Sequence, residues 1–471
     1  MMRSWNTLLV VVVTLAVGPA HGQRAVDPAR VVPGQTCTAI TQADADASAG
    51  TVNINHDGSP IPGTPAPDIS RGFSGIPRSA QPRLTASQQR ILECTHRLAE
   101  ANADIPYTLF VPSTYDPQKP APLVVDLHGL NITPLQQILF DGTTDFAERY
   151  GFIVLAPMGF NVSSWWGSRA GTAVATAAVK PGGDVHYSNT ELAEIDTMAL
   201  LKEIRQPYAI DSDRIYLMGH SMGGYGTNNV ATHHPDLFAA VAPAEGTSSP
   251  DLHANLRNVP WFEISAQEDL DAGAQDAKKM YGVLSDGGYD AKLLVYDFKI
   301  HEYSSIYDTL PDLFRFFRSH RLQRNPAIVS FVRPANQDKP DLGLVYDHAY
   351  WLSGIKAADP KANATITATS SAIAHPDPDP ARAQRTTHLV FDPDAPSKRS
   401  IGELYATTPG DGPALPRSNT LTINATNLAE VTVDLDRARL RQRRLRIEAK
   451  SDKPFTLILR SAKTTRRVSA G

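Results

Sequence analysis

The sequence predicts an α/β protein: a mostly parallel sheet with helices on both faces, followed by a C-terminal β-sandwich-like domain. Three observations carry this. Between residues 104 and 322, short continuous apolar runs alternate with amphipathic segments of helical spacing. That is the pattern of strands buried on both faces. From 325 to 471 helical spacing gives way to short strand-like runs separated by turn residues. And a Gly-x-Ser-x-Gly stretch at 219–223 stands where an apolar strand meets a helix.

The elements follow in order. Residues 23–103 are rich in Pro, Gly, Ser, Ala and Asp, with one helix expected from Thr85 to Ala101 on the spacing of Ile91, Leu92, Thr95 and Leu98. Strands are expected at 107–112, 123–127, 152–156, 214–218, 238–243, 261–265 and 292–296. Helices are expected at 142–150, 191–208, 222–233, 274–284 and 310–319. In the tail, strands are expected at 327–332, 349–352, 364–369, 388–391, 420–423, 430–433, 445–449 and 455–459. The stretch 373–398, dense in Pro and Asp, reads as a solvated loop.

Residues 1–22 have the form of a secretory leader. Arg3 precedes an apolar run from Leu8 to Val17, and Ala20-His21-Gly22 puts small residues at the −3 and −1 positions of a cut after Gly22. The run falls short of the roughly 18 residues that span a bilayer, so no stable membrane span is expected. A secreted or periplasmic location follows. In such an oxidising compartment the two cysteines, Cys37 and Cys94, are candidates to pair. The formal charge of −4 gives no reason to expect nucleic acid as a partner. No metal-ligand set and no phosphate-cradling loop stands out, so neither metal nor cofactor is expected.

The chemistry-bearing stretch is Gly219-His220-Ser221-Met222-Gly223-Gly224. A serine on a sharp turn from strand to helix is exposed for attack, and the residues two before and two after it must be small. Serine needs a base to take its proton, and the base needs an acid to orient it. Asp269 follows the strand 261–265, with Glu268 and Asp271 as rivals for the same role. His301 follows the strand 292–296 and precedes the last helix. The oxyanion requires two backbone N–H donors. Met222 supplies one and Leu130, after His128-Gly129, the other; His128 itself reads as a loop-holding side chain.

Taken together, YTLFVPSTYDP, PLVVDLHGL, APMGF, IDSDRIYLMGHSMGGYGT, HHPDLFAAVAPAEG, ISAQEDLD, KIHEY and LPDLFRFF resemble the α/β-hydrolase superfamily. The branch is similar to secreted esterases of the polyhydroxybutyrate-depolymerase-like group, near feruloyl and acetyl esterases. The likeness spans about residues 104–320. It implies a Ser221–His301–Asp269 triad and an oxyanion hole at Leu130 and Met222. The chain departs from the pattern at Ala266, where many relatives have glycine, and at Leu130, where several depolymerases carry cysteine. The tail around DHAYWLSGI also resembles a β-rich domain appended to some such hydrolases.

The expected activity is cleavage of a carboxylic ester, small or polymeric (a polyester or a plant cell-wall ester), through an acyl-enzyme. A peptidase or amidase of the same fold would use the same triad. An inactive surface protein whose β-domain grips carbohydrate is the reading from a different class. Trp165-Trp166 read equally as a substrate-binding aromatic wall or as packing. Residues 167–188 read as a flap or a plain insertion. The basic run from Arg437 to Arg446 reads as a charge-protected strand edge.

Overall fold

A computed structural model describes residues 36–48, 83–140, 142–168, 189–247, 249–376, 379–392, 400–410 and 412–470. The leader expected at 1–22 and nearly all of the expected flap, 169–188, lie outside the described residues.

The first unit begins with β1 (Thr36–Ala39), α1 (Gln42–Ser48), β2 (Ile91–Leu98), β3 (Ala103–Phe110), β4 (Ala121–Leu127), α2 (Pro134–Ile138), α3 (Thr143–Tyr150) and β5 (Ile153–Pro157). It continues with α4 (Asn189–Ile204), β6 (Ile210–His220), α5 (Met222–His233), β7 (Ala240–Ala244), β8 (Trp261–Ala266), α6 (Ala274–Asp286), β9 (Ala291–Tyr296) and α7 (Ser304–Ser319). The tail carries β10 (Ile328–Arg333), β11 (Leu352–Ala357), β12 (Ala364–Ser370), β13 (Gln384–Asp392), β14 (Ser400–Thr408), β15 (Thr420–Thr426), β16 (Leu428–Asp434), β17 (Arg446–Ser451), β18 (Phe455–Arg460) and β19 (Thr465–Ala470).

The main sheet runs β1-β2-β3-β5-β4-β6-β7-β8-β9-β14-β13. Its middle, from β5 through β9, is parallel. Both edges are antiparallel. β4, β5, β7 and β8 are buried along their whole length, as strands covered on both faces must be. Successive residues supply opposite cores. Leu123 and Val125 join Leu200, Val230 and Met280 on the face of α4, α5 and α6. Val124 joins Ala147, Leu310 and Phe314 on the face of α3 and α7. This is the α/β-hydrolase fold. It sets the ends of β4, β6, β7, β8 and β9 in a row, where the loops carrying chemistry meet.

Three expectations need correction. The helix expected over 85–101 is instead β2, with α1 the described helix of the N-terminal segment. Ile91, Leu92 and Leu98 fit the helical spacing, but after the buried Ile91 the buried positions are Leu92, Cys94, His96 and Leu98, a period of two. His96 hides the alternation because its buried ring pairs through Nε2 with Asp196, at 2.6 Å. The second correction is the solvated loop at 373–398, which contains all of β13. The third is that β13, expected among the sandwich strands, pairs with β14, which pairs with β9. The tail thus returns a hairpin to cover what would be an open edge of the main sheet.

The rest of the tail forms two four-stranded sheets, β10-β12-β15-β17 and β11-β16-β18-β19. They enclose one core that includes Phe331, Trp351, Ile366, Ile423, Val431 and Leu457. The basic run leads through a turn into β17, an edge strand of the first of these sheets. The side chain of Asn255 joins the two units, donating to the Val332 carbonyl and accepting from its N–H. The Tyr346 hydroxyl donates to buried Glu194 at 3.0 Å.

Cys37 and Cys94 sit opposite one another in the β1–β2 pair and are joined as a disulfide. The bridge closes a separation of 57 residues. By the loop-entropy argument, replacing both cysteines by serine should cost about 4 kcal/mol of stability. Thermal unfolding of the double variant checks this; an unchanged Tm would mean the bridge restrains nothing that folding does not already restrain.

Candidate active site

The site is built where β6 ends and α5 begins. Ser221 occupies the single residue between them, at φ 56° and ψ −118°. A non-glycine residue at positive φ is strained, at a cost of order 1–3 kcal/mol. The surroundings hold it there. The Ser221 N–H donates to the Ala244 carbonyl at 2.8 Å, and its carbonyl accepts from Tyr225 N–H at 3.1 Å. The flanking glycines are required sterically. A Cβ on Gly219 would stand 2.5 Å from the Gly223 carbonyl oxygen, and one on Gly223 would run into the Leu127 carbonyl.

The structure brings three of the expected residues into one hydrogen-bonded chain. Ser221 Oγ lies 2.7 Å from His301 Nε2, and His301 Nδ1 lies 2.8 Å from Asp269 Oδ2. The other Asp269 oxygen accepts from the N–H groups of Asp271 and Ala272, both at 2.8 Å. The acid is therefore oriented, with one oxygen left for the imidazole. Burial alone would raise the Asp269 carboxyl, but His301 and these two amides outweigh it and hold it below its ordinary value. Burial alone would lower His301, but the Asp269 hydrogen bond and the charges of Glu245, Asp269 and Asp271 raise it above 6.5. The rivals Glu268 and Asp271 are both exposed.

The loop after β4 lies against the serine. A Cβ on Gly129 would be 3.3 Å from the His220 carbonyl oxygen and 3.5 Å from Ser221 Cβ. This sets Leu130 beside Ser221 in space. His128 clamps the loop, with its ring nitrogens each 2.8 Å from a carbonyl, of Gly129 and of Met158. Met222 is the first residue of α5, so its N–H has no acceptor within the helix.

The two tryptophans divide. Trp166 is fully buried, donating to the His128 carbonyl at 3.3 Å and filling the space where Gly159 and Gly226 have no side chain. It is packing, and the substrate-wall reading is corrected for it. Trp165 is half-buried, 5.8 Å from the Tyr225 ring, and its indole N–H has no acceptor among the described residues.

Residues not singled out in the sequence also meet here. Glu245, just past β7, is buried at φ 49°. Its Oε2 lies 3.0 Å from His220 Nε2 and 3.7 Å from His301 Nδ1. The His220 ring stacks on His301, centroids 5.1 Å apart. The available signal was an acid directly after a buried parallel strand, in Pro243-Ala244-Glu245-Gly246. His220, Glu245 and His301 each offer a ligand atom within 4.8 Å of the others, as do Asp269, Asp271 and His301. Hydrogen bonding within these groups already accounts for their proximity.

Comparison with known proteins finds the following likenesses. Residues 99–286 match the family model described as "Putative esterase". Feruloyl esterase B of Neurospora crassa is 30% identical over 138 residues, covering 29% of this chain and 43% of that one. An acetylxylan esterase of Coprinopsis cinerea is 32% identical over 140 residues, covering 29% and 34%. The S-formylglutathione hydrolase of Rattus norvegicus is 27% identical over 240 residues, covering 48% and 79%. Of two other such relatives the chain spans 21% and 56% of the length. Among solved structures, a thermostable esterase superposes with a TM-score of 0.40 at 23% identity, covering 49% of this chain and 63% of that one. The segment that matches the esterase family model, residues 99–286, contains both the elbow serine and the loop bearing Asp269.

Proposed function

We propose that the protein is a serine esterase in which Ser221, His301 and Asp269 act as a catalytic triad. The observation that carries this is the unbroken hydrogen-bonded chain from Ser221 through His301 to Asp269 at a strained strand-to-helix turn. Ser221 Oγ attacks the ester carbonyl while His301 Nε2 takes its proton. Asp269 keeps the imidazole proton on Nδ1 and stabilises the cation that forms. The N–H groups of Met222 and Leu130 receive the oxyanion. His301 then returns the proton to the leaving alcohol, and water repeats the cycle on the acyl-enzyme.

Comparing hydrolysis of p-nitrophenyl acetate with that of p-nitroacetanilide tests this reading. Ester cleavage with little anilide cleavage is expected. Comparable anilide cleavage would move the assignment to an amidase.

Because the base works only when neutral and His301 is raised above 6.5, kcat/KM should fall with decreasing pH at a midpoint above 6.5. A pH–rate profile checks this, and a midpoint below 6.5 would contradict the electrostatics described above.

The relatives named for feruloyl and acetylxylan ester cleavage support a plant cell-wall ester as substrate. The rim supports an apolar or aromatic acyl group. Leu270, next to Asp269, is 97% exposed, and Phe298, three residues before His301, is 79% exposed. Phe298 also sits at φ 58°, which asparagine tolerates better. Phe298→Asn is expected to raise KM for a feruloyl ester several-fold while leaving acetyl-ester kinetics unchanged. Equal effects on both esters would remove Phe298 from acyl recognition. A secreted or periplasmic location goes with this reading, supported by the leader sequence and by a cysteine pair suited to an oxidising compartment.

A further inference from the structure

We infer that Glu245 is a second carboxylate serving His301, a positioning residue that shares with Asp269 the stabilisation of the imidazolium formed when Ser221 gives up its proton. The inference rests on the triad reading above.

Geometry carries it. Glu245 Oε1 accepts from the Ser305 hydroxyl, and Oε2 accepts from the Glu302 N–H at 2.9 Å. Both donors come from the chain just after His301, so this one side chain ties the base-bearing loop to the end of β7. The same Oε2 lies 3.7 Å from His301 Nδ1, the nitrogen that Asp269 holds at 2.8 Å. Thus two carboxylates converge on one edge of the ring, while His220 covers its face. Burial holds His220 uncharged, its pKa down to about 3, so it adds no competing positive charge.

A glutamine would fill the same volume with one acceptor oxygen in place of the two that Ser305 and Glu302 use, and it would carry no charge. Burying a carboxylate costs free energy unless the charge is used. Among the described residues, the only group within ion-pair distance that must become cationic during the reaction is His301.

The other charged or titratable groups around the pair are Asp269 and Asp271 from the loop after β8, His220 from the end of β6, and Glu302 beside the base. Tyr303 packs its ring against His220, and Lys299 is occupied by Asp308. Burial raises Glu245 to about 8, while His301 lies above 6.5. Two groups this close titrate as a pair, in two macroscopic steps.

The test uses inactivation of the full-length protein by a fluorophosphonate, followed across pH alongside kcat and KM for p-nitrophenyl acetate. This probe reads the Ser221–His301 pair without the natural substrate. Wild type is expected to gain reactivity in two steps. Glu245→Gln is expected to show one step at lower pH, with kcat above the wild-type upper step reduced roughly tenfold, a loss equivalent to one pKa unit of charge stabilisation, and KM unchanged. Ser305→Ala removes a donor to the carboxylate, so it should move the upper step to higher pH. It keeps the test alive if the Gln variant does not fold. A single step in wild type would overturn the inference. So would a Gln variant that is slower but keeps the wild-type profile, or an unmoved upper step in Ser305→Ala. Absence of any Ser221 labelling in wild type would instead defeat the serine-nucleophile reading, and this inference with it.

Discussion

Replacing Ser221 by alanine is expected to lower kcat on p-nitrophenyl acetate by roughly four to six orders of magnitude while leaving the fold intact. The size of the loss follows from the mechanism. Without the hydroxyl there is no acyl-enzyme, and the remaining oxyanion donors can assist only direct attack by water. The fold should survive because the hydrogen bond of the Ser221 side chain runs to His301 and does not hold the turn. The contacts that hold the turn are backbone ones, to Ala244 and Tyr225, and alanine keeps both. Alanine at φ 56° is no less strained than serine, so Tm should not rise. Kinetics with thermal unfolding on the same preparation separates the effects. Activity within tenfold of wild type would remove Ser221 from the chemistry, and lost activity with lost folding would make its role structural.

Asp269→Asn should cost roughly three to four orders of magnitude in kcat with little change in KM. The amide is the same size but presents either a donor or an uncharged oxygen to His301 Nδ1. The Asp271 and Ala272 N–H groups compete for that oxygen. The amide nitrogen then faces Nδ1 and favours the wrong imidazole tautomer, with the proton on Nε2, where it blocks acceptance from Ser221. The imidazolium also loses its nearest counter-charge, so the acid limb of the pH profile should move to lower pH. Glu268→Gln, altering an exposed neighbour, is the control and should leave kcat within about twofold. If that control fell as far as Asp269→Asn, the choice of acid would be wrong.

Much of this was legible in the sequence because one local pattern carried it. The parallel strands are continuous apolar runs, and the Gly219–Gly224 stretch combines a steric demand with a chemical one. His301 and Asp269 lie after strands whose order is fixed by the fold, so position pointed to them while leaving Glu268 and Asp271 as rivals for the acid. What escaped notice depended on tertiary pairing. β2 was hidden because His96 is buried against Asp196, from an element a hundred residues away. The β13–β14 hairpin was hidden because it completes a sheet begun far upstream, and its strand 384–392 exposes Leu389 and Phe391. Trp166 reads equally as aromatic wall or as packing because sequence does not reveal that Gly159 and Gly226 make room for it. Glu245 escaped because an acid in a short loop has no local signature; its significance comes from the approach of His301, 56 positions later.

The most direct measurement is the mass of the protein quenched in acid shortly after mixing with p-nitrophenyl acetate, followed by peptide mapping. The account predicts one acetyl group, on the peptide containing Ser221, formed at the rate of nitrophenol release and absent from Ser221→Ala. Turnover with the acetyl group on another residue would contradict it.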